Sequence, residues 1–80
     1  KIMTNQEKYI GAFTDALNVE AGETGALVYG QSGAWDSVGH MRLIANLEDA
    51  FDIMMDMDDI IDFSSFAKGK EILRKYDVEI

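Results

Sequence analysis

Asp36-Ser37-Val38-Gly39-His40-Met41-Arg42-Leu43-Ile44-Ala45-Asn46-Leu47-Glu48-Asp49-Ala50-Phe51 is the most regular stretch of the chain, and its periodicity decides the fold. With Val38 at zero and about 100° per residue, Leu43, Leu47, Phe51 and Ile44 fall between about 140° and 240°. Met41, Ala45 and Val38 extend the apolar arc from about 300° to 360°. A surface helix needs an apolar stripe of about 100°, and this arc covers roughly twice that. Asp36 and Ser37 are both favoured N-cap residues, so a helix is predicted over Ser37–Phe51. The surplus of its apolar arc faces either more core or a partner. In a small bundle this helix is not wrapped on all sides, which makes Val38, Met41 and Ala45 a contact face, with Glu48 and Asp49 one turn further along. The competing reading packs Val38 and Met41 beneath the segment that precedes the helix.

Upstream, Thr4 followed by Glu7 matches a capping box, and Tyr9, Ile10, Phe13 and Leu17 recur at helical spacing, predicting a first helix over residues 5–18. Residues 19–35 form a long connection with Gly22, Gly25, Gly30 and Gly33, tethered by the apolar cluster Leu27-Val28-Tyr29. A short strand is conceivable there, but no second strand is evident to pair with it. Downstream, Asp56 opens a short helix over Met57–Asp62. Ser64 or Ser65 then caps a last helix reaching about residue 76, with Phe66, Ile72, Leu73 and Tyr76 as its apolar side. Gly69 weakens that helix by up to about 1 kcal/mol relative to Ala. The expectation is one all-α domain over residues 1–80: a small four-helix bundle of three main helices and one short one, with a long loop between the first two.

The 80-residue length and 48% hydrophobic content fit one small globular core. No apolar run is long enough to cross a bilayer and no leader-like segment opens the sequence, so membrane insertion is not expected. The chain contains no cysteine, which excludes disulfides and thiolate chemistry and agrees with a cytoplasmic location. Fifteen acidic against seven basic residues give a net charge of −8, which argues against nucleic acid as a partner. Glu48, Asp49, Asp52, Asp56, Asp58, Asp59 and Asp62 fall together, with no Lys or Arg across residues 43–67. This patch either attracts basic protein surfaces or serves as a solvated face that keeps the protein soluble.

No catalytic constellation is apparent, and the chain is not read as an enzyme. His40, the single histidine, lies near 200° on the helical wheel, at roughly the centre of the core-facing arc. It is either a partly buried side chain bonded to a loop carbonyl or a neighbour of a group carried on Ser37. An EF-hand beginning at Asp56 fails, because Ile60, Ile61 and Ala67 occupy positions that need oxygen ligands and a glycine. No metal site is expected. Gly30, Gly33 and Gly39 form no phosphate-binding loop, since the following Lys-Ser/Thr is missing.

Trp35-Asp36-Ser37-Val38-Gly39-His40-Met41, with Leu43-Ile44-Ala45-Asn46-Leu47-Glu48-Asp49-Ala50-Phe51-Asp52 after it, resembles the Asp-Ser-Leu motif and second helix of acyl carrier proteins. Phe63-Ser64-Ser65-Phe66 resembles the capped start of that family's fourth helix. The resemblance implies 4′-phosphopantetheine attached to Ser37 by a phosphopantetheinyl transferase, with Asp36 assigned to recognition by that enzyme. It further implies a monomeric carrier of acyl thioesters for fatty-acid, polyketide or specialised lipid synthesis. Its partners are acyl-transferring or acyl-ligating enzymes with basic docking surfaces, met by Val38, Met41, Ala45, Glu48, Asp49, Asp56, Asp58 and Asp59. The alternatives are an aminoacyl or peptidyl carrier, or an unmodified helical adaptor. Independently of the resemblance, a helix N-terminus favours an attached phosphodiester by about 0.3–1 kcal/mol. Two departures set the chain apart: Val38 replaces the usual leucine, a mild change that keeps an apolar contact, and Gly39 and Arg42 stand where many members carry acids on the docking side. The positive charge of Arg42 on that side points to a dedicated or secondary carrier.

Overall fold

The structure is a computed structural model that describes residues 2–31 and 33–80. Lys1, within the expected domain, and Ser32, within the expected loop, lie outside the described residues. Among those residues, four α-helices and one 3-10 helix form an all-α bundle: α1 (Asn5–Leu17), the 3-10 helix (Ala21–Ala26), α2 (Ser37–Phe51), α3 (Met57–Asp62) and α4 (Phe66–Arg74).

The cap signals act as written. The Thr4 hydroxyl accepts the Glu7 N–H at 3.1 Å, and the Glu7 carboxylate accepts the Thr4 N–H at 2.9 Å. α1 stops one residue before its expected end because Asn18 turns left-handed (φ 56°). α2 closes in the same way on Asp52 (φ 53°), with the Ile53 N–H reaching back to the Glu48 carbonyl. The Ser65 hydroxyl opens α4 by accepting the Lys68 N–H at 3.0 Å. That helix ends at Arg74 rather than near residue 76: Asp77 adopts φ 64°, and the Val78 N–H turns back to the Leu73 carbonyl. Burial of Val78 secures this turn, a tertiary contribution that helical periodicity does not register.

α1 packs chiefly on α2. Tyr9, Phe13 and Leu17 meet Leu43, Ile44 and Leu47, while Phe63, Phe66, Ile72 and Leu73 close the core from the other side. Fully burying each large side chain contributes about 1.5–3 kcal/mol relative to exposure. Phe13 is the hub of the aromatic cluster, edge-on to Tyr9 at 5.0 Å and to Trp35 at 5.4 Å between ring centroids. The Tyr9 hydroxyl donates to the Phe66 carbonyl at 2.6 Å, which meets its need for a partner in the core, and burial raises its pKa.

The connection from α1 to α2 is more structured than its composition suggests. Its 3-10 helix buries Thr24, whose hydroxyl donates to the Ala21 carbonyl at 2.8 Å. Leu27 is buried, while Tyr29 is exposed, so the apolar cluster tethers the segment through its first residue more than its last. Val28 forms a single antiparallel bridge with Ser65, the residue that caps α4. The bridge is one residue long because α4 begins immediately afterwards. Gly30 (φ 80°) donates its N–H to the Trp35 carbonyl at 3.0 Å, closing a turn that delivers Trp35 into the core.

Candidate functional site

Asp36 is the N-cap of α2, and its carboxylate accepts the Gly39 N–H at 2.8 Å. Ser37 is therefore the first helical residue. Its side chain is exposed, and among the described residues its hydroxyl has no hydrogen-bond partner. The first amides of a helix lack intrahelical acceptors. Asp36 satisfies that of Gly39, leaving positive partial charge beside the Ser37 oxygen.

Two apolar surfaces meet at Ser37. One is a groove of about 390 Å³ between α2 and α3, lined by Tyr29, Ser37, His40, Met41, Met57, Ile60, Ile61 and Phe63. The other is a shallow depression along α2 formed by Ser37, Val38, Met41, Arg42 and Ala45. Val38 and Met41 are 60% and 58% exposed, so they do not pack beneath the preceding segment. Met57 and Ile61 are also largely exposed and form the rim on the α3 side. A further depression between α1 and α2 is lined by Gly11, Ala12, Asn46 and Ala50 among others, and among the described residues no hydroxyl side chain lines it.

The acids divide into two groups. Asp49, Asp56 and Asp58 are exposed, as a docking surface requires. Glu48 is half-buried, and its carboxylate accepts the Met55 N–H at 2.9 Å, so it braces the α2–α3 connection. Asp59, also expected at the docking surface, is only 6% exposed: its carboxylate accepts from the Lys75 ammonium and the Tyr76 hydroxyl, each at 2.5 Å. The Lys75 hydrogen bond, then that from Tyr76, holds the Asp59 carboxyl below its ordinary pKa. The Lys75 ammonium is correspondingly raised by its bond to Asp59. Burial, then the Asp59 bond, raises Tyr76, whose oxygen also accepts the Asp56 N–H at 2.9 Å.

Gly39 is a second correction. Expected on the docking side, it is buried, and a Cβ there would stand 2.5 Å from the Ala34 carbonyl and 2.8 Å from Leu17. A glycine allows the preceding backbone to cross close over the start of α2.

His40 is buried and bonded at both ring nitrogens. The Trp35 indole N–H donates to Nδ1 at 2.9 Å, and Nε2 lies 2.8 Å from the Ile60 carbonyl. An indole N–H only donates, so Nδ1 is the unprotonated nitrogen and Nε2–H donates to Ile60. The expected carbonyl partner therefore exists, but it belongs to α3. Nothing local in the sequence pairs positions 40 and 60, and this link was not legible there.

Among the described residues three features meet at Ser37: an exposed hydroxyl without a hydrogen-bond partner, a helix start, and an apolar groove that opens beside it. Arg42 shares the α2 depression with Ser37 and brings a positive charge to that side. Among the described residues no three His, Cys, Asp or Glu side chains converge to hold a metal ion, and no helix is long and apolar enough to cross a membrane. No protein-family model, curated protein or solved structure matches this chain.

Proposed function

We propose that this protein is a carrier that holds acyl groups as thioesters on a 4′-phosphopantetheine arm attached to the Ser37 hydroxyl. The observation that carries the reading is the exposed Ser37 hydroxyl, without a hydrogen-bond partner among the described residues, at the first position of a long helix on the edge of an apolar groove. The chain itself binds and orients. Helix-terminal amides and Arg42 favour the phosphodiester, and the groove takes the apolar part of the cargo out of water. The arm supplies the thiol that this cysteine-free chain lacks. Acyl cargo is favoured over aminoacyl cargo because no carboxylate lines the groove, and an ammonium entering it would lose hydration without a counter-charge. Val38, Met41 and Ala45, with Asp49, Asp56 and Asp58 around them, form the docking face for basic partner enzymes.

Intact-mass measurement after incubation with coenzyme A and permissive phosphopantetheinyl transferases tests this reading. The expected result is one phosphopantetheinyl increment on the wild type and none on Ser37→Ala. An unmodified wild type from a sample shown to be folded would transfer the exposed Val38–Met41 face to the adaptor reading.

A further inference from the structure

α3 is held in place in an unusual way for so short an element. Of its six residues only Asp59 is buried, while Met57 and Ile61 stand largely exposed at the groove rim. Ile60 is the one apolar residue of α3 that packs, half-buried, against the core, so apolar burial holds the element through a single side chain. Two polar attachments fix it: Asp59 to Lys75 and Tyr76 on one side, and the Ile60 carbonyl to His40 on the other. Carbonyls in the last turn of a helix lack intrahelical donors, and the imidazole N–H of α2 supplies one.

The second attachment crosses the groove's inner wall. His40 and Phe63 are the buried members of its lining, and the others are half-buried or exposed. The imidazole is confined by stacking on Trp35 at 6.1 Å and by the Tyr29 ring at 5.1 Å. Trp35, which is fully buried, also fixes the tautomer that points Nε2–H at Ile60. A chain entering from the Ser37 rim thus meets a hydrogen bond joining both walls.

We propose that the His40–Ile60 hydrogen bond is a length gate, making His40 the residue that sets which apolar chains the groove accepts. A straight chain short enough to lie above the imidazole is taken with α3 in place. A longer one enters only when the bond breaks and α3 turns outward on its Asp59 attachment. This inference deepens the carrier reading and takes its cargo class from it. The gate itself requires no modified serine.

The test titrates the unmodified full chain, and Ser37→Ala, with straight-chain alkanols of increasing length. Ring-nitrogen and methyl NMR signals are followed. Short alkanols are expected to shift Met41, Met57 and Ile61 while the His40 Nε2–H stays bonded. Beyond a crossover length, binding should expose Nε2–H to solvent exchange. His40→Leu should tighten binding of long alkanols by about three- to tenfold, the equivalent of one neutral hydrogen bond, and leave short ones unchanged. His40→Gln, which keeps one donor and one acceptor, should retain the wild-type preference. An intact Nε2–H bond with the longest alkanol bound would overturn the gate, as would equal chain-length profiles for His40→Leu and wild type. If His40→Leu fails to fold, the wild-type ring signals decide alone. Failure of Ser37 to accept the arm, with a clear alkanol crossover, would remove the carrier reading and leave the gate standing. A modified Ser37 with no crossover would do the reverse.

Discussion

A methyl group at Gly69 would collide with the Phe63 ring and the Tyr9 hydroxyl, two of the most deeply buried groups in the core. Helix propensity alone favours Gly69→Ala by up to about 1 kcal/mol. Overpacking a close-packed core costs about 1–3 kcal/mol, and here the colliding atoms belong to a ring and a bonded hydroxyl with little room to give way. Gly69→Ala is therefore expected to destabilise the fold by about 1–2 kcal/mol net, read as a lower urea midpoint at unchanged m-value. The sequence shows Gly69 only as a local weakness, because the contacts that require it come from α1 and from the residue after α3. Glu48 illustrates the same limit. Beside an apolar strip it reads as a docking charge, yet its carboxylate holds a backbone N–H seven residues away.

For the helices themselves, local signals sufficed. The bounds of α2 and α3 agree with the sequence reading, since caps and apolar spacing lie within a few residues of each end. Which acid of α3 turns inward did not follow: Asp58 and Asp59 are chemically equivalent neighbours, and the choice is made by Lys75 and Tyr76, just past the end of α4. That attachment gives α3 a defined response to acid. A carboxyl whose folded pKa lies below its unfolded value of about 3.9 stabilises the fold above that value. The contribution disappears as pH falls from there through the lower folded value. Lys75, raised by the same bond, keeps its share up to the ordinary lysine range and loses it only as pH climbs through its raised value. Amide protection factors in α3, exchange rates corrected for the intrinsic rate at each pH, should thus be high near neutrality and fall in acid below about pH 3.9, more than in α1. Asp59→Asn should exchange faster in α3 already at neutral pH and show a smaller further acid response. Equal acid sensitivity in both proteins would assign the effect to other carboxyls.

Across the whole molecule, net charge of −8 and the acidic stretch from residues 48 to 62 produce a field that acts before contact. The fold subtracts Asp59 and partly Glu48 from that field and leaves Asp49, Asp56 and Asp58 in solvent. Charge reversal at Asp49 or Asp58 should slow association with a basic partner by roughly tenfold at low salt, with a smaller change in dissociation, as stopped-flow kinetics would report. The difference should shrink near 0.15 M salt, where the screening length is about 8 Å. Insensitivity of the association rate to both charge and salt would leave the apolar strip as the whole of the docking surface. At this scale the all-α bundle and its acidic character were legible from periodicity and composition. The Val28–Ser65 bridge was not, because pairing across 37 positions leaves no periodic trace in either segment, and the 3-10 helix, whose single buried residue is Thr24, carries no apolar periodicity to read.

Trp35 is the chain's single tryptophan, and its indole N–H bonds directly to His40. Its fluorescence therefore comes from one known place, a buried ring touching the inner wall of the groove, so the protein carries its own optical probe. Emission should be blue-shifted in the folded state and change in intensity whenever the imidazole shifts. Occupancy of the groove then becomes readable in real time, at micromolar concentration and without a label.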